Sequence, residues 1–116
     1  MAPPNILREK SYTFALGVVA YCRILYFKRE YVLAKQLLKS GTSVGANIEE
    51  ATQAQSRADF ISKLSIAHKE AAEADYWLRL LIDSKIGTEA GVVLREKIVE
   101  ISRMLTSSLK TLKGKN

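Results

Sequence analysis

The chain of 116 residues has a single cysteine, Cys22, and a single histidine, His68. One cysteine cannot form an internal disulfide, and one histidine cannot hold a metal ion without several carboxylates as further ligands. The scarcity of both residue types therefore excludes a disulfide-stabilised fold and indicates a reducing compartment. We expect a cytoplasmic protein that carries no metal ion and no other cofactor.

Proline is scarce as well. Pro3 and Pro4 are the only two prolines, so from residue 5 onward no proline interrupts a helix. With six glycines and 47% hydrophobic residues, the composition is typical of a compact helical protein and not of a disordered chain. We expect one domain over residues 1–116, which is large enough to bury about two-thirds of the surface of its unfolded chain.

A long apolar segment that would cross a membrane is also missing. The uncharged run at residues 11–22 follows Arg8 and Lys10 and so resembles a secretion signal. However, Glu9 lies in the part that should be basic, and Tyr21 stands where a lipoprotein cleavage site needs a small residue. The run is too short to span a bilayer, so we expect a buried core helix and no membrane association.

Apolar residues recur at alternating spacings of three and four residues in four successive segments. This spacing places them on one face of an α-helix. The predicted helices cover about residues 7–27, 30–55, 57–85 and 88–112. Because the links between them are short, we predict an all-α protein, an antiparallel up-down-up-down four-helix bundle.

Two groups of residues mark the ends of these helices. Ser56 is followed after three residues by Asp59, the pattern of an N-cap whose side chain binds the backbone of the first turn. Lys85 and Gly87 are typical of a helix C-terminus, with Gly87 as the C-cap, and Thr88 is typical of the next N-cap. We therefore expect the third helix to begin just after Ser56 and the fourth to begin at Thr88.

Residues 40–51, with the sequence SGTSVGANIEEA, place two glycines inside the second predicted helix. The apolar repeat continues through Gly41 and Gly45, which favours helix although each glycine costs about 1 kcal/mol relative to alanine. Close approach of a neighbouring helix is the usual compensation. We expect that neighbour to be the third helix, whose middle is rich in alanine.

Two other interpretations of this stretch remain open at this point. A phosphate-binding loop would need Lys and Ser or Thr after the second glycine, but Ala46 and Asn47 follow Gly45. A turn would use Asn47 as the N-cap of a new helix, with Glu50 as its partner in a capping box. In the helical interpretation, Ser43, Asn47 and Glu50 form a polar stripe at the edge of the core, where each side chain needs a partner.

The acidic residues offer no recognisable catalytic or metal-binding motif. A di-metal bundle needs Glu-x-x-His on two helices, and the sequence has no such motif. Glu73 is expected to lie at the edge of the core, opposite Glu50 or an arginine such as Arg57 or Arg79. The clustered ionisable residues are Glu49, Glu50, His68, Glu70, Glu73 and Asp75. Because no nucleophile, base and orienting group occur together, we expect a protein that is not an enzyme.

Basic residues exceed acidic ones by 18 to 12, which gives a formal charge of +6. An excess of this size is compatible with a polyanionic partner, although a solvated helix surface is the default interpretation of such charges. If the protein binds nucleic acid, the affinity should come from counterion release and be largely indifferent to sequence. The candidate phosphate-binding residues are Lys28, Arg29, Lys35, Lys39, Lys110, Lys113 and Lys115.

Aromatic residues give no further sign of a nucleic-acid site. Tyr12, Tyr26, Tyr31, Tyr76 and Trp77 are expected at the rim of the core and not as a stacking surface for bases. No nucleic-acid recognition motif with its own spacing is present.

Two blocks of the sequence carry a resemblance to a known family. The first, KQLLKSGTSVGANIEEA at residues 35–51, contains the pattern Ser-x-x-Ser-Val/Ile-x-x-Asn-Ile-x-Glu. The second runs from Asp59 to Leu78 and has aromatic residues with helix-spaced alanine and glutamate. Over about residues 7–112, the chain resembles the four-helix bundle family that includes proteins encoded in the intervening sequences of bacterial large-subunit ribosomal RNA genes.

The resemblance implies a ring-shaped homopentamer and favours helix through residues 41–45. The family is also distantly similar to the accessory variability determinant of diversity-generating retroelements, a basic pentamer that binds nucleic acid and associates with a reverse transcriptase. The family offers no catalytic residue to transfer. Its matched positions imply structural or interface roles for Ser40, Ser43, Asn47, Glu50 and Glu73.

The function expected from charge and resemblance together is non-enzymatic. We expect an oligomeric bundle that binds RNA or another nucleic acid non-specifically through its basic surfaces. The alternative is a protein-interaction scaffold, in which the pentamer docks a partner protein and the charge only maintains solubility.

Overall fold

The computed structural model describes residues 3–87 and 89–114, and over these residues it consists of four α-helices and their links. The body measures 46 × 23 × 21 Å, which is the elongated shape of a bundle of helices lying side by side. The predicted all-α bundle is confirmed. The helices are α1 (Asn5–Phe27), α2 (Tyr31–Ala51), α3 (Arg57–Asp83) and α4 (Glu89–Lys113).

Contacts between the helices show their relative directions. Along α1 and α2, Arg8 binds Glu49 near one end of the pair, whereas Cys22 binds Ala34 near the other end. Each helix packs against the next along the chain, and α4 packs against α1. The arrangement agrees with the predicted up-down-up-down topology. The same antiparallel order relates α3 to α4, through Arg57 with Leu112, His68 with Thr106, and Asp75 with Arg95.

The predicted apolar stripes form the core. Their side chains are almost fully buried, and the largest are Tyr21 and Phe14 of α1. Two serines share this interior. Ser11 and Ser40 are buried, and each satisfies its hydroxyl by donating to a carbonyl one turn earlier in its own helix. Both buried serines are therefore satisfied within their own helices.

The second helix ends at Ala51, four residues before the predicted end at residue 55. The backbone N–H groups of Thr52 and Gln53 bind carbonyls three residues back, to Glu49 and Glu50, as in a tightened last turn. The Thr52 hydroxyl donates to the same Glu49 carbonyl at 2.6 Å. Because this hydroxyl competes for the helical acceptor, it favours termination at this point.

The third helix begins as predicted. The Ser56 hydroxyl accepts a hydrogen bond from the Asp59 backbone N–H at 3.0 Å. The Asp59 carboxylate accepts one from the Gln55 N–H at 3.2 Å, so the two side chains satisfy donors on either side of the N-cap.

The end of α3 differs from the prediction. The residue with the left-handed backbone conformation is Lys85, with φ of 59°, and not Gly87. Gly87 is needed for another reason, since a Cβ at this position would lie 2.5 Å from the Tyr21 hydroxyl oxygen. The helix ends at Asp83, with Ser84 as its C-cap. The predicted N-cap Thr88 lies outside the described residues.

The glycine-containing stretch lies within α2, so the turn and the phosphate-loop interpretations are wrong. Asn47 is not an N-cap, because its side-chain amide donates to the Ser43 carbonyl at 2.8 Å inside the helix. The expected neighbour also needs correction. Although α2 packs against α3, both glycines face α1, where Gly41 meets Val18 and Gly45 meets the backbone of Ser11.

Candidate nucleic-acid interface

The structure separates the predicted basic residues into two groups. The first group follows the end of α1 and continues along the first half of α2, whereas the second lies at the end of α4. Because α1 and α4 are antiparallel, their C-termini lie at opposite ends of the bundle. The first group is Lys28, Arg29, Lys35 and Lys39, the second is Lys110 and Lys113, and all six are exposed. Lys115 lies outside the described residues.

The first group is positioned by the turn between α1 and α2. Arg29 adopts a left-handed conformation with φ of 64°, and its N–H binds the Tyr26 carbonyl at 2.9 Å. The rings of Tyr26 and Tyr31 meet edge to face, with centroids 5.4 Å apart, across the same turn. Lys28 and Arg29 therefore project from a braced turn and not from a loose loop.

The second group lines an open groove of about 520 Å³ between α3 and α4. Lys110 and Lys113 lie on one wall, and His68 of α3 lies on the other. The His68 Nε2 atom is 2.9 Å from the Thr106 hydroxyl, which itself donates to the Ser102 carbonyl at 2.9 Å. With the Thr106 hydroxyl hydrogen directed at Ser102, its oxygen can accept a hydrogen bond from Nε2. His68 is thus oriented by α4.

Two arginines converge on one carboxylate farther along the same helix pair. Asp75 accepts from Arg79 Nε at 3.2 Å and from Arg95 Nε at 2.9 Å. The two arginine side chains remain 51% and 44% exposed, so their terminal Nη groups are available to a second anion. Two cations against one anion leave this cluster with a net positive charge.

Tyr76 borders this cluster. Its ring lies edge to face against Trp77 at 5.0 Å, and the Arg79 guanidinium carbon lies 5.9 Å from the ring centroid. Trp77 is half-buried and packs against the core, whereas 48% of Tyr76 is exposed. The prediction that all five aromatic residues lie at the rim of the core thus fits Trp77 alone. The exposed members are Tyr12, Tyr26, Tyr31 and Tyr76.

Arg103 continues the basic surface between the Asp75 cluster and the groove. It is exposed, and it lies eight residues after Arg95 and seven before Lys110. Two helical turns span about seven residues, so these three side chains fall on the same side of α4. We name the outer surface of this helix pair the α3–α4 face. It comprises His68, Asp75, Tyr76, Arg79, Arg95, Arg103, Thr106, Lys110 and Lys113.

The arginines of this face were not among the sequence candidates. The candidates are basic residues that lie next to each other or one helical turn apart, whereas Arg79, Arg95 and Arg103 lie outside such clusters. The recurrence of cations every seven or eight residues from Arg95 to Lys110 is a signal that would have found the α4 members. The contribution of Arg79 depends on the contact between two helices, which the sequence does not show.

The residues implied as structural by the resemblance lie mainly on α2. Ser40, Ser43 and Asn47 each donate to a carbonyl four residues earlier in the helix, at 2.7–3.1 Å. Glu50 binds Lys63 of α3 at 3.2 Å, so it links two helices. Glu73 is exposed on α3. The structure does not place Glu73 opposite the expected partners, because Glu50 binds Lys63, Arg57 binds the Leu112 carbonyl and Arg79 binds Asp75.

Reactive side chains do not converge in the described part of the chain. Over residues 3–87 and 89–114, no group of three or more His, Cys, Asp or Glu side chains is placed to hold a metal ion. The Cys22 thiol is buried and donates to the Ala34 carbonyl at 3.4 Å. Burial raises the pKa of this thiol to about 11, so at neutral pH it is a poor nucleophile.

Within the described ranges, none of the four helices combines the length and the apolar character needed to cross a bilayer.

Comparison with known proteins relates the chain to a family and to solved structures. The family model described as 23S rRNA-intervening sequence protein matches residues 5–107. The chain is similar to a crystal structure of a protein of unknown function from the S23 ribosomal protein family of Bacteroides thetaiotaomicron. The two are 48% identical with a TM-score of 0.87, over 90% of this chain and 99% of the other. None of the curated proteins matches.

Proposed function

Since the chain belongs to the family of 23S rRNA-intervening sequence proteins, we propose that it is a non-enzymatic, oligomeric bundle that binds RNA or another nucleic acid. Binding takes place through basic surfaces, in the cytoplasm, and is largely independent of sequence. The observation that carries this proposal is the charge of the α3–α4 face.

This face gathers more cations than its acidic residues neutralise. Asp75 is shared by two arginines, exposed Glu96 lies beside Arg95 on α4, and exposed Asp83 lies one turn after Arg79 on α3. Against these three carboxylates stand five cations, namely Arg79, Arg95, Arg103, Lys110 and Lys113. A row in which cations outnumber carboxylates attracts a phosphate backbone and releases its counterions.

A non-enzymatic role agrees with the state of the reactive groups. The Cys22 thiol is buried with a raised pKa, and the Nε2 atom of His68 is hydrogen-bonded to the Thr106 hydroxyl. Neither residue has the neighbouring base or acid that would activate it for group transfer. The groove beside His68 is therefore better suited to holding an anion than to transforming one.

Self-association into a homopentamer is the second part of the proposal. It is supported by the family resemblance and by an apolar stripe on the outer side of α1. Tyr12, Leu16, Val19 and Tyr26 are exposed, and they recur at spacings of four, three and seven residues. Exposed apolar surface of this kind usually marks an interface. Because α1 lies diagonally opposite α3, such an interface leaves the α3–α4 face accessible.

Nucleic-acid binding is tested by titrating a fluorescein-labelled single-stranded RNA and following its anisotropy at 50 and 200 mM salt. Three to five phosphate contacts predict a loss of affinity of roughly 20- to 100-fold between the two conditions. RNAs of unrelated sequence should bind equally. Absence of binding at 50 mM salt would refute the proposal.

The oligomeric state is tested by light scattering on nuclease-treated protein. A mass five times that of the 12.9 kDa chain is expected. The mass should rise further with added RNA and return to its initial value at high salt. A monomer would refute the pentamer.

The apolar stripe on α1 also favours a second candidate function, a scaffold that docks a partner protein. In that case a pull-down after nuclease treatment would recover one stoichiometric protein, and charge-removing variants of the α3–α4 face would not affect its recovery. Replacement of Leu16 by Asp would abolish it.

A further inference from the structure

We infer that the α3–α4 face holds a single strand of nucleic acid, with one unpaired base stacked on Tyr76 and the following phosphates bound along the row of cations towards the groove at Lys110 and Lys113. This inference rests on the proposed function and assigns it a surface and a strandedness. Neither the lysines of the first group nor the apolar stripe on α1 takes part in it.

Tyr76 has the two properties of a stacking platform. Its ring is held, because Trp77 packs on the core and meets the ring edge to face at 5.0 Å. It is also accessible, since 48% of the residue is exposed. A fixed aromatic ring binds the face of any base, and the binding therefore tolerates sequence variation.

Cations adjoin the ring on the side towards α4. The Arg79 guanidinium lies 5.9 Å from the ring centroid, and Asp75 connects Arg79 to Arg95. Both arginines reach Asp75 through Nε, so their Nη groups can bind the phosphate that flanks a stacked base. Asp75 thus holds the two guanidinium groups in place, and its single negative charge leaves one of their two positive charges uncompensated.

The row of cations is long enough to contact several nucleotides. Fifteen residues of α4 separate Arg95 from Lys110, which at the helical rise corresponds to about 22 Å. Arg103 lies midway. The row ends in the groove of about 520 Å³, where Lys110 and Lys113 face His68 across the boundary between the helices. This groove has walls on two sides, and we assign it to a phosphate.

Stacking on Tyr76 requires a base that is not paired in a duplex. A double-stranded RNA presents its phosphates to the same cations but keeps its bases in the stack. Single-stranded and double-stranded RNA should therefore respond differently to loss of the Tyr76 ring. Binding of a single strand should weaken, and binding of a duplex should be unchanged.

The first experiment compares Tyr76→Leu with Tyr31→Leu. Tyr31 is the matched control, because it is an exposed tyrosine on α2, outside the α3–α4 face and the apolar stripe on α1, and it also meets another aromatic ring edge to face. With labelled oligouridylate, Tyr76→Leu should lose affinity by about 5- to 100-fold, the range for one stacked base, and Tyr31→Leu should bind like the wild type. Tyr76→Phe, which keeps the ring, should retain the affinity.

The second experiment compares two double variants of equal charge. Lys110→Gln with Lys113→Gln removes two cations from the groove, and Lys28→Gln with Arg29→Gln removes two at the opposite end. The groove pair should lower the affinity for oligouridylate and reduce the salt slope by about 1.4, whereas the other pair should have little effect. Circular dichroism confirms that each variant is folded.

The outcomes distinguish the inference from the function on which it rests. If the wild type binds no RNA at 50 mM salt, the proposed function fails. If it binds but Tyr76→Leu behaves like Tyr31→Leu, or the two charge pairs weaken binding equally, only the inference is overturned. A change in the mass of Tyr76→Leu by light scattering would also overturn it, since the ring would then lie between copies.

Discussion

Val18 of α1 fills the space that the missing side chain of Gly41 leaves on α2. A Cβ at Gly41 would lie 3.0 Å from both Cγ atoms of Val18, which is itself fully buried. A β-branched side chain has one strongly preferred rotamer in a helix, so it cannot easily turn away. The contact explains why the sequence keeps a glycine in the middle of a 21-residue helix.

The two glycines of α2 should respond in opposite ways to alanine. At Gly41 the new methyl group would overlap Val18, and we expect a loss of about 1 kcal/mol in the free energy of unfolding despite the better helix propensity. At Gly45 the Cβ would lie 3.4 Å from the Ser11 carbonyl oxygen, an ordinary contact. There we expect a gain of about 0.5–1 kcal/mol. Urea denaturation of both variants measures the difference.

A larger residue at Gly45 leads to the opposite expectation. Gly45→Leu adds three further carbon atoms beyond a Cβ that already contacts the backbone of Ser11, and this backbone cannot move without displacing α1. We expect a loss of about 1–3 kcal/mol, as is usual for overpacking. An unchanged melting temperature would mean that the side chain reaches solvent.

Removal of the N-cap of α3 should destabilise the protein. Ser56→Ala deletes the acceptor of the Asp59 N–H, and we expect a loss of about 1 kcal/mol in the free energy of unfolding. Ser62→Ala is the control, because Ser62 is exposed in the interior of the same helix, where alanine is the better helix former. Equal effects of the two substitutions would contradict a capping role for Ser56.

The fold was largely predictable from the sequence because it depends on periodic burial. The alternation of three and four residues identified all four helices, and Ser56 with Asp59 located the start of α3 within one residue. The predicted ends of α2 and α3 were wrong because a few local hydrogen bonds decide where each helix stops. Thr52 ends α2 through a side-chain bond to the Glu49 carbonyl, and Lys85 takes the left-handed position that glycine would ordinarily occupy.

The candidate site was predicted less well, for a different reason. The lysines at both ends of the bundle were recognised because they are close together in the sequence, but the sequence could not show that Lys28 and Lys110 lie far apart in space. Conversely, Arg79 and Arg95 are 16 residues apart in the chain and share one carboxylate in the structure. Such a cluster depends on the pairing of α3 with α4, and its composition becomes visible only when the helices are placed.

Stability should fall in alkaline solution because of Cys22. Burial raises the pKa of its thiol from 9.0 to about 11 in the folded protein. Below pH 9 the thiol is protonated in both the folded and the unfolded protein, so it does not change the free energy of unfolding. Between pH 9 and 11 only the unfolded chain loses the proton, which favours unfolding. The full loss is about 2–3 kcal/mol.

Comparison with Cys22→Ala isolates this contribution, because tyrosines and lysines titrate over the same range. The wild type should lose more stability than the variant between pH 9 and pH 11 in urea denaturation with a reducing agent present. The native thiol should also resist alkylation by iodoacetamide at pH 8. Parallel pH profiles for the two proteins would show that Cys22 is accessible in the folded state.

Asp75 restrains the charge of the α3–α4 face, and its neutralisation should strengthen nucleic-acid binding. In Asp75→Asn, Arg79 and Arg95 lose their shared counterion, so two full cations face the strand where the wild type has a net charge of about one. We expect a several-fold gain in affinity for single-stranded RNA at 50 mM salt and a steeper salt dependence. The cost in stability should stay within about 1 kcal/mol, because both ion pairs are partly exposed.

Glu49→Gln is the matched control, since it also removes one carboxylate from an ion pair with arginine, but on the side of α1 and α2. If both substitutions raise the affinity equally, the net charge of the protein and not the α3–α4 face governs binding.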